Sequence, residues 1–231
     1  MNLTSCPAST KQWERNLKSE GITVLHCSIC RPAFSNSGKQ QRMERYFARL
    51  AQLWQSRWEN ELYQQACNAR KTWPDDKAFP PWQANMDYQV TYWKPPLLSI
   101  RIEIKEQGAT SPPALQYLGE VWDCASGYPC SLRSFLPAKP FRWKPRMITH
   151  LQKQAELRLN SGESLLRDGC LSEIKQSFDP NRFYLSEEGL IIFYPLYTLG
   201  SYGEGIPTFT IPISEENQSN KFRAPSITAQ R

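Results

Sequence analysis

Hydrophobic positions along this chain change period several times, and each change marks an element. Over residues 22–30 alternation predicts a strand with Leu25, Cys27 and Ile29 on one face. Met43, Tyr46, Phe47, Leu50, Leu53, Trp54, Trp58 and Leu62 then recur at helical spacing, which predicts a long helix over 38–71 with one apolar stripe. Arg42, Arg45, Arg49, Gln52 and Glu59 take its other side, and Ser35, Asn36 and Ser37 are N-cap candidates. Past a proline-rich connection at 73–82 the period falls to two. Met86, Tyr88, Val90 and Tyr92 form one strand face, and Leu98, Ile100, Ile102 and Ile104 form the next after a Lys94-Pro95-Pro96 turn. This second face is expected to meet the Phe47, Leu50 and Trp54 stripe. A looser strand over 115–123 and a bend at Ser126-Gly127 complete this part of the chain.

Helical spacing returns after Pro145 with Met147, Ile148, Leu151, Ala155 and Leu159, closed by Asn160-Ser161-Gly162. A shorter helix is predicted through Leu165, Leu166, Leu171, Ile174 and Phe178. Residues 183–186 then read as a strand, turning at Glu187-Glu188-Gly189 into a continuous apolar run over 190–194, which suits a strand covered on both faces. Pro195 ends it. A compact loop interleaves Tyr197 and Tyr202 with Gly200, Gly203 and Gly205, and after Pro207 a last strand sets Phe209, Ile211 and Ile213 against Thr208, Thr210 and Pro212. At least one of the three glycines is expected at positive φ. The fold class is α+β: a largely antiparallel twisted sheet packed against one long helix and two shorter ones. The organisation reads as a polar lead-in at 1–19, partly helical near Trp13, an N-terminal half at 20–125, a C-terminal half at 126–213, and a mobile polar tail at 214–231 containing Pro225.

Composition adds little to function. With 40% hydrophobic and 12% aromatic residues the chain is globular, and a net charge of +6 is too mild to mark a polyanion binder. No apolar signal region opens the sequence and no run approaches the ~18–20 apolar residues of a membrane span, so the expectation is a soluble, by default cytoplasmic, protein. Seven cysteines, an odd number, point to mostly reduced thiols.

The run Phe183-Tyr184, Gly189-Leu190, Tyr197, Tyr202, Gly205-Ile206-Pro207, Phe209 and Ile211-Pro212 resembles the C-terminal half of the RsiV-like domain family. Upstream, Tyr88-Gln89-Val90-Thr91-Tyr92, Leu98-Ser99-Ile100, Gly108-Ala109, Trp122-Asp123 with Gly127, and residues 131–135 look like its successive strand and turn segments, so the likeness covers roughly 20–213. Where relatives often carry His after the Gly108-Ala109 pair, this chain has Thr110 followed by Pro112-Pro113. The family includes the extracellular part of RsiV-type anti-sigma factors, which sense lysozyme by binding it, and modules attached to peptidoglycan deacetylases. The resemblance therefore implies a bacterial binding or sensing module engaging a protein or cell-envelope glycan, or an accessory domain of a peptidoglycan-modifying enzyme. It does not imply an active site.

The candidate chemistry agrees. Cys27 and Cys30 are three residues apart in a strand, which sends their side chains to opposite faces, and no second ligand pair accompanies them, so neither zinc nor another cofactor is expected. Cys124 and Cys130 flank a bend and are a disulfide candidate in an oxidising compartment. His26 and His150 lack a nucleophile motif, and Glu187 and Glu188 are expected to be solvated, so no catalytic constellation is visible. The glycine loop lacks the Lys and following helix of a phosphate cradle. Its Tyr197, Gly200, Tyr202 and Gly205 are the candidate binding residues, the other reading being a turn pinned by tyrosine hydroxyls bonded to backbone. Trp73, Phe79 and Trp82 would form a sticky patch if exposed together. A nucleic-acid contact through the arginine side of the long helix is a weaker alternative.

Overall fold

The computed structural model describes residues 6–36, 38–74, 76–136, 143–162 and 164–212. Ser37, Ile213 and the tail from Ser214 lie outside them. The chain divides into two compact units, Met1–Pro129 and Cys130–Arg231. Both are α+β. Among the described residues, no helix is long and apolar enough to cross a membrane.

The first unit is a six-stranded sheet in sequence order, β1 (Ser9–Ser19), β2 (Ile22–Ala33), β3 (Trp82–Lys94), β4 (Leu97–Gln107), β5 (Ala114–Asp123) and β6 (Tyr128–Pro129). All neighbours are antiparallel except β2 and β3, which run parallel because the long helix returns the chain between them. The junction expected between residues 125 and 126 lies inside the turn that closes β5 onto β6. Leu98, Ile100, Ile102 and Ile104 are buried in one cluster with Met43, Phe47 and Trp58, with Leu50 and Trp54 packed against it. The period-two face and the period-3.6 stripe meet as expected.

The lead-in is polar as expected, but its described part forms a strand and not a partly helical segment. Trp13 and Leu17 of β1 pack on the core, and between them Arg15 reaches Glu59 of the helix at 2.6 Å. Alternation is hidden in the sequence because an ion pair, not a hydrophobe, fills the middle inward position.

The long helix runs as α1 (Gln40–Arg57), a π turn (Trp58–Leu62) and α2 (Tyr63–Lys71). The extra residue of the π turn rotates α2 by about 100°, which keeps Leu62, Ala66 and Cys67 buried below a helix whose ideal repeat would carry them outward. Within the predicted stripe, Tyr46 and Leu53 are exposed. The N-cap position is Lys39, whose side chain makes no capping bond. The approach is fixed by the helix instead: the Glu44 carboxylate accepts from Phe34 N–H at 2.9 Å, and Gln40 Oε1 accepts from Ser35 N–H at 3.1 Å.

The second unit holds α3 (Trp143–Ser161), α4 (Cys170–Gln176) and a separate three-stranded antiparallel sheet of β7 (Phe183–Ser186), β8 (Gly189–Phe193) and β9 (Thr208–Ile211). Met147, Ile148, Leu151 and Ala155 are buried on α3, and every residue of β8 is buried. Side chains of α3 tie to β9: Gln154 donates to Thr210 O at 2.7 Å, and Arg158 donates to Thr208 O at 2.8 Å over the Phe209 ring. The predicted shorter helix begins only at Cys170. Leu165 and Leu166 precede it outside any helix, Leu165 exposed and Leu166 bridged to Gly200.

Candidate functional site

The loop over 194–207 joins two strands of a sheet and is held at both ends. Tyr194 is buried at its start, its N–H donating to Pro207 O and its hydroxyl to Ile174 O at 2.9 Å. Burial raises its pKa well above that of a free phenol. Inside the loop the chain is cinched by Thr198 N–H to Pro195 O, Glu204 N–H to Ser201 O and Gly205 N–H to Tyr202 O. A second strap, residues 164–167, lies along it. Arg167 N–H donates to Leu199 O and its guanidinium to Thr198 O at 2.6 Å, while the Glu204 carboxylate accepts from Leu165 N–H at 2.6 Å and Ser164 Oγ at 3.1 Å.

Two of the glycines have backbone reasons. Gly205 sits at φ +71°, where a side chain is strained. At Gly200 a Cβ would stand 2.8 Å from Leu165 O, so the strap approaches only because no side chain is there.

The two tyrosines are not pins. Tyr197 is 48% and Tyr202 43% exposed, with ring centroids 6.1 Å apart at 37°. Among the described residues neither hydroxyl makes a hydrogen bond; Tyr194 performs the pinning expected of them. Tyr197 also sits at φ +66°, a left-handed conformation that costs a non-glycine residue about 1–2 kcal/mol. Exposed Leu165 lies against Gly203, extending the apolar surface beside Tyr202. Sequence reasoning misses Leu165 because its spacing fits a helix.

Other candidates are dispersed. Cys27 faces the core, where burial and then the Glu59 charge push its thiol up to about 12. Cys30 lies half-buried on the other face, its pKa raised by burial and then by Asp87, so neither is poised as a thiolate. Cys124 is buried and Cys130 half-buried, each as a thiol. His26 bonds Asn16 at 2.8 Å beside Glu14, His150 is exposed on α3, and Glu187 and Glu188 are exposed. Trp73, Phe79 and Trp82 do not form a surface patch: Phe79 is buried edge-on to Trp73 at 5.5 Å, and both indole nitrogens are buried.

Residues 142–214, which include the whole loop, match a family described as a protein of unknown function (DUF3298). A crystal structure of a DUF3298 family member from Bacteroides fragilis NCTC 9343 superposes with a TM-score of 0.61 at 14% identity, covering 89% of each chain. That of a DUF3298 family protein from Pseudomonas aeruginosa PAO1 gives 0.58 at 16% identity, covering 90% of this chain and 91% of that one. No curated protein matches. The chain thus shares the architecture of these two proteins and carries a DUF3298-like segment at its C-terminal side.

Proposed function

We propose that this chain is a non-catalytic binding module of RsiV-like type, and that Tyr197, Tyr202 and the Gly200–Gly205 turn form its contact surface for a protein or glycan partner. One observation carries the reading: an aromatic residue is held in left-handed backbone with its ring half exposed and tilted at 37° beside a second exposed ring. Strain held at a half-exposed aromatic beside a second exposed ring supports a position kept for contact. The resemblance to sensing domains, which act through binding, supports the same reading.

The test uses Tyr197→Gly and Tyr202→Ala, each immobilised and exposed to cell-envelope glycan fragments and, separately, to a bacterial protein extract. Glycine at 197 relieves left-handed strain while adding about 0.5–1 kcal/mol of backbone entropy cost, so melting should barely move. Capture of the partner retained by the wild type should fall at least tenfold in both variants. Lowered melting in both with capture intact would overturn the proposal.

A further inference from the structure

Between β1 and α1 the first unit carries an open groove of about 280 Å³, at the small end of ligand-sized cavities. It exists because the helix presents small side chains there. Ala48 and Ala51 line it together with Trp13 and Ile29, which makes an apolar floor, and Gln52 and Gln55 of the helix form its rim.

The two ends carry charge. Lys11, Trp13 and Arg15 share the inner face of β1, so about 13 Å of strand separates the first from the last. Beyond Trp13, Arg15 and Gln55 both donate to Glu59, a balanced pair.

At the Lys11 end the charges do not balance. Arg31 and Lys11 both line the groove and both bond Glu44, whose carboxylate also accepts from Phe34 N–H. Two cations therefore share one carboxylate, and that carboxylate is already bonded on both oxygens. Arg31 is spent, since it is nearly buried and donates to Pro32 O as well. Lys11 is not. Its ammonium holds Glu44 by a single 3.3 Å contact, is 62% exposed, and makes no other bond among the described residues. No acidic side chain lines the groove among the described residues.

We propose that this groove binds a small free carboxylic acid whose apolar body is about the size of one aromatic ring. The carboxylate joins Lys11 and supplies the missing negative charge, while the body lies on Trp13, Ile29, Ala48 and Ala51. Uncompensated positive charge beside an apolar floor selects an acid over an amine or a neutral sugar. Charged pairs near both ends favour a short molecule over a chain running through. The site is independent of the tyrosine loop, which belongs to the second unit.

The probe is phenylpropionate, added to the full ¹⁵N-labelled chain while the Trp13 indole signal is followed, identified as the one missing from Trp13→Phe. A saturable shift with a Kd of about 1 mM or tighter is expected, and phenylpropionamide, the neutral isostere, should bind at least tenfold more weakly. Lys11→Met should erase this preference for acid over amide. Ala48→Leu fills the groove from a half-buried helix position and should weaken the acid at least tenfold. Both variants should melt near the wild type, since one loses only an exposed ion pair and the other keeps a strong helix former. No saturable shift, equal affinity for acid and amide, or an acid preference that survives Lys11→Met would each overturn the assignment. So would an Ala-Ala-Phe peptide with a free carboxylate binding at least tenfold tighter than phenylpropionate, since the groove would then belong to the chain end of a protein.

Discussion

Replacing Glu44 by glutamine probes the contact that locks α1 to the first hairpin. Arg31 Nη2 lies 2.8 Å from Glu44 Oε1 and Nη1 lies 3.2 Å from Oε2, both side chains being only 12% exposed, and Phe34 N–H adds a third bond at 2.9 Å. Lys11, at 3.3 Å but 62% exposed, adds little. The Arg31 hydrogen bonds, against some desolvation, hold the Glu44 carboxyl at about 2 in place of 4.5. At about 1.4 kcal/mol per tenfold change, that difference sets an upper bound of about 3.4 kcal/mol for the ionised form. Glutamine keeps one acceptor but leaves Arg31 nearly buried beside an amide donor, so a loss of about 2–3 kcal/mol is expected. Because the folded pKa is depressed, this stability is present above pH ~4.5 and disappears as pH falls through ~2. Urea unfolding followed by tryptophan fluorescence isolates the first unit, since of the eight tryptophans only Trp143 lies in the second. The gap between wild type and Glu44→Gln should be full at pH 7 and close toward pH 2. A gap under about 0.5 kcal/mol at pH 7, or one that ignores pH, would refute the reasoning.

Glu120 behaves oppositely: burial, partly offset by the Tyr46 hydrogen bond, raises its carboxyl to about 7. Its stabilising, protonated form is complete below ~4.5 and is lost as pH rises through ~7, so wild-type stability should fall by about 1–3 kcal/mol between pH 5 and 8 while Glu120→Gln stays flat over that window in the same urea assay. Gly205→Ala, at φ +71° with nothing crowding the new Cβ, should lower stability by about 1 kcal/mol, read as a lower melting temperature of the second unit. Gly200→Ala should cost more, because its Cβ meets the Leu165 carbonyl at 2.8 Å and the strap must move; circular-dichroism melting checks the order of the two variants.

The long helix, the β3–β4 face and the glycine loop are legible in the sequence because each rests on local periodicity or on turn chemistry. The features that escape it are settled at a distance. The parallel pairing of Leu25 with Trp82 joins segments separated by the whole helix, and nothing local encodes it. β1 is hidden because Arg15 fills an inward position with an ion pair to Glu59. Leu165 and Leu166 fit a helical count, yet Leu165 is held out of a helix by its bond to Glu204, 39 residues on. Of the site, the tyrosines and glycines are legible, but not the strain at Tyr197 or which tyrosine is the anchor, since both depend on where Tyr194 finds Ile174.

The π turn at Trp58–Leu62 leaves this helix with a fixed reading frame. Its surface positions look free to gain or lose residues, since Asn60 and Glu61 are solvent-facing. Removing either one would regularise the hydrogen bonding and yet turn the 9 residues of α2 by about a hundred degrees. Ala66 and Cys67 would leave the interior, and Tyr63 would lose Lys18 O, which its hydroxyl now reaches at 2.8 Å. Substitutions at Asn60 or Glu61 should thus be nearly silent while a single deletion there is severe, so indels and point changes at one exposed spot report opposite constraints.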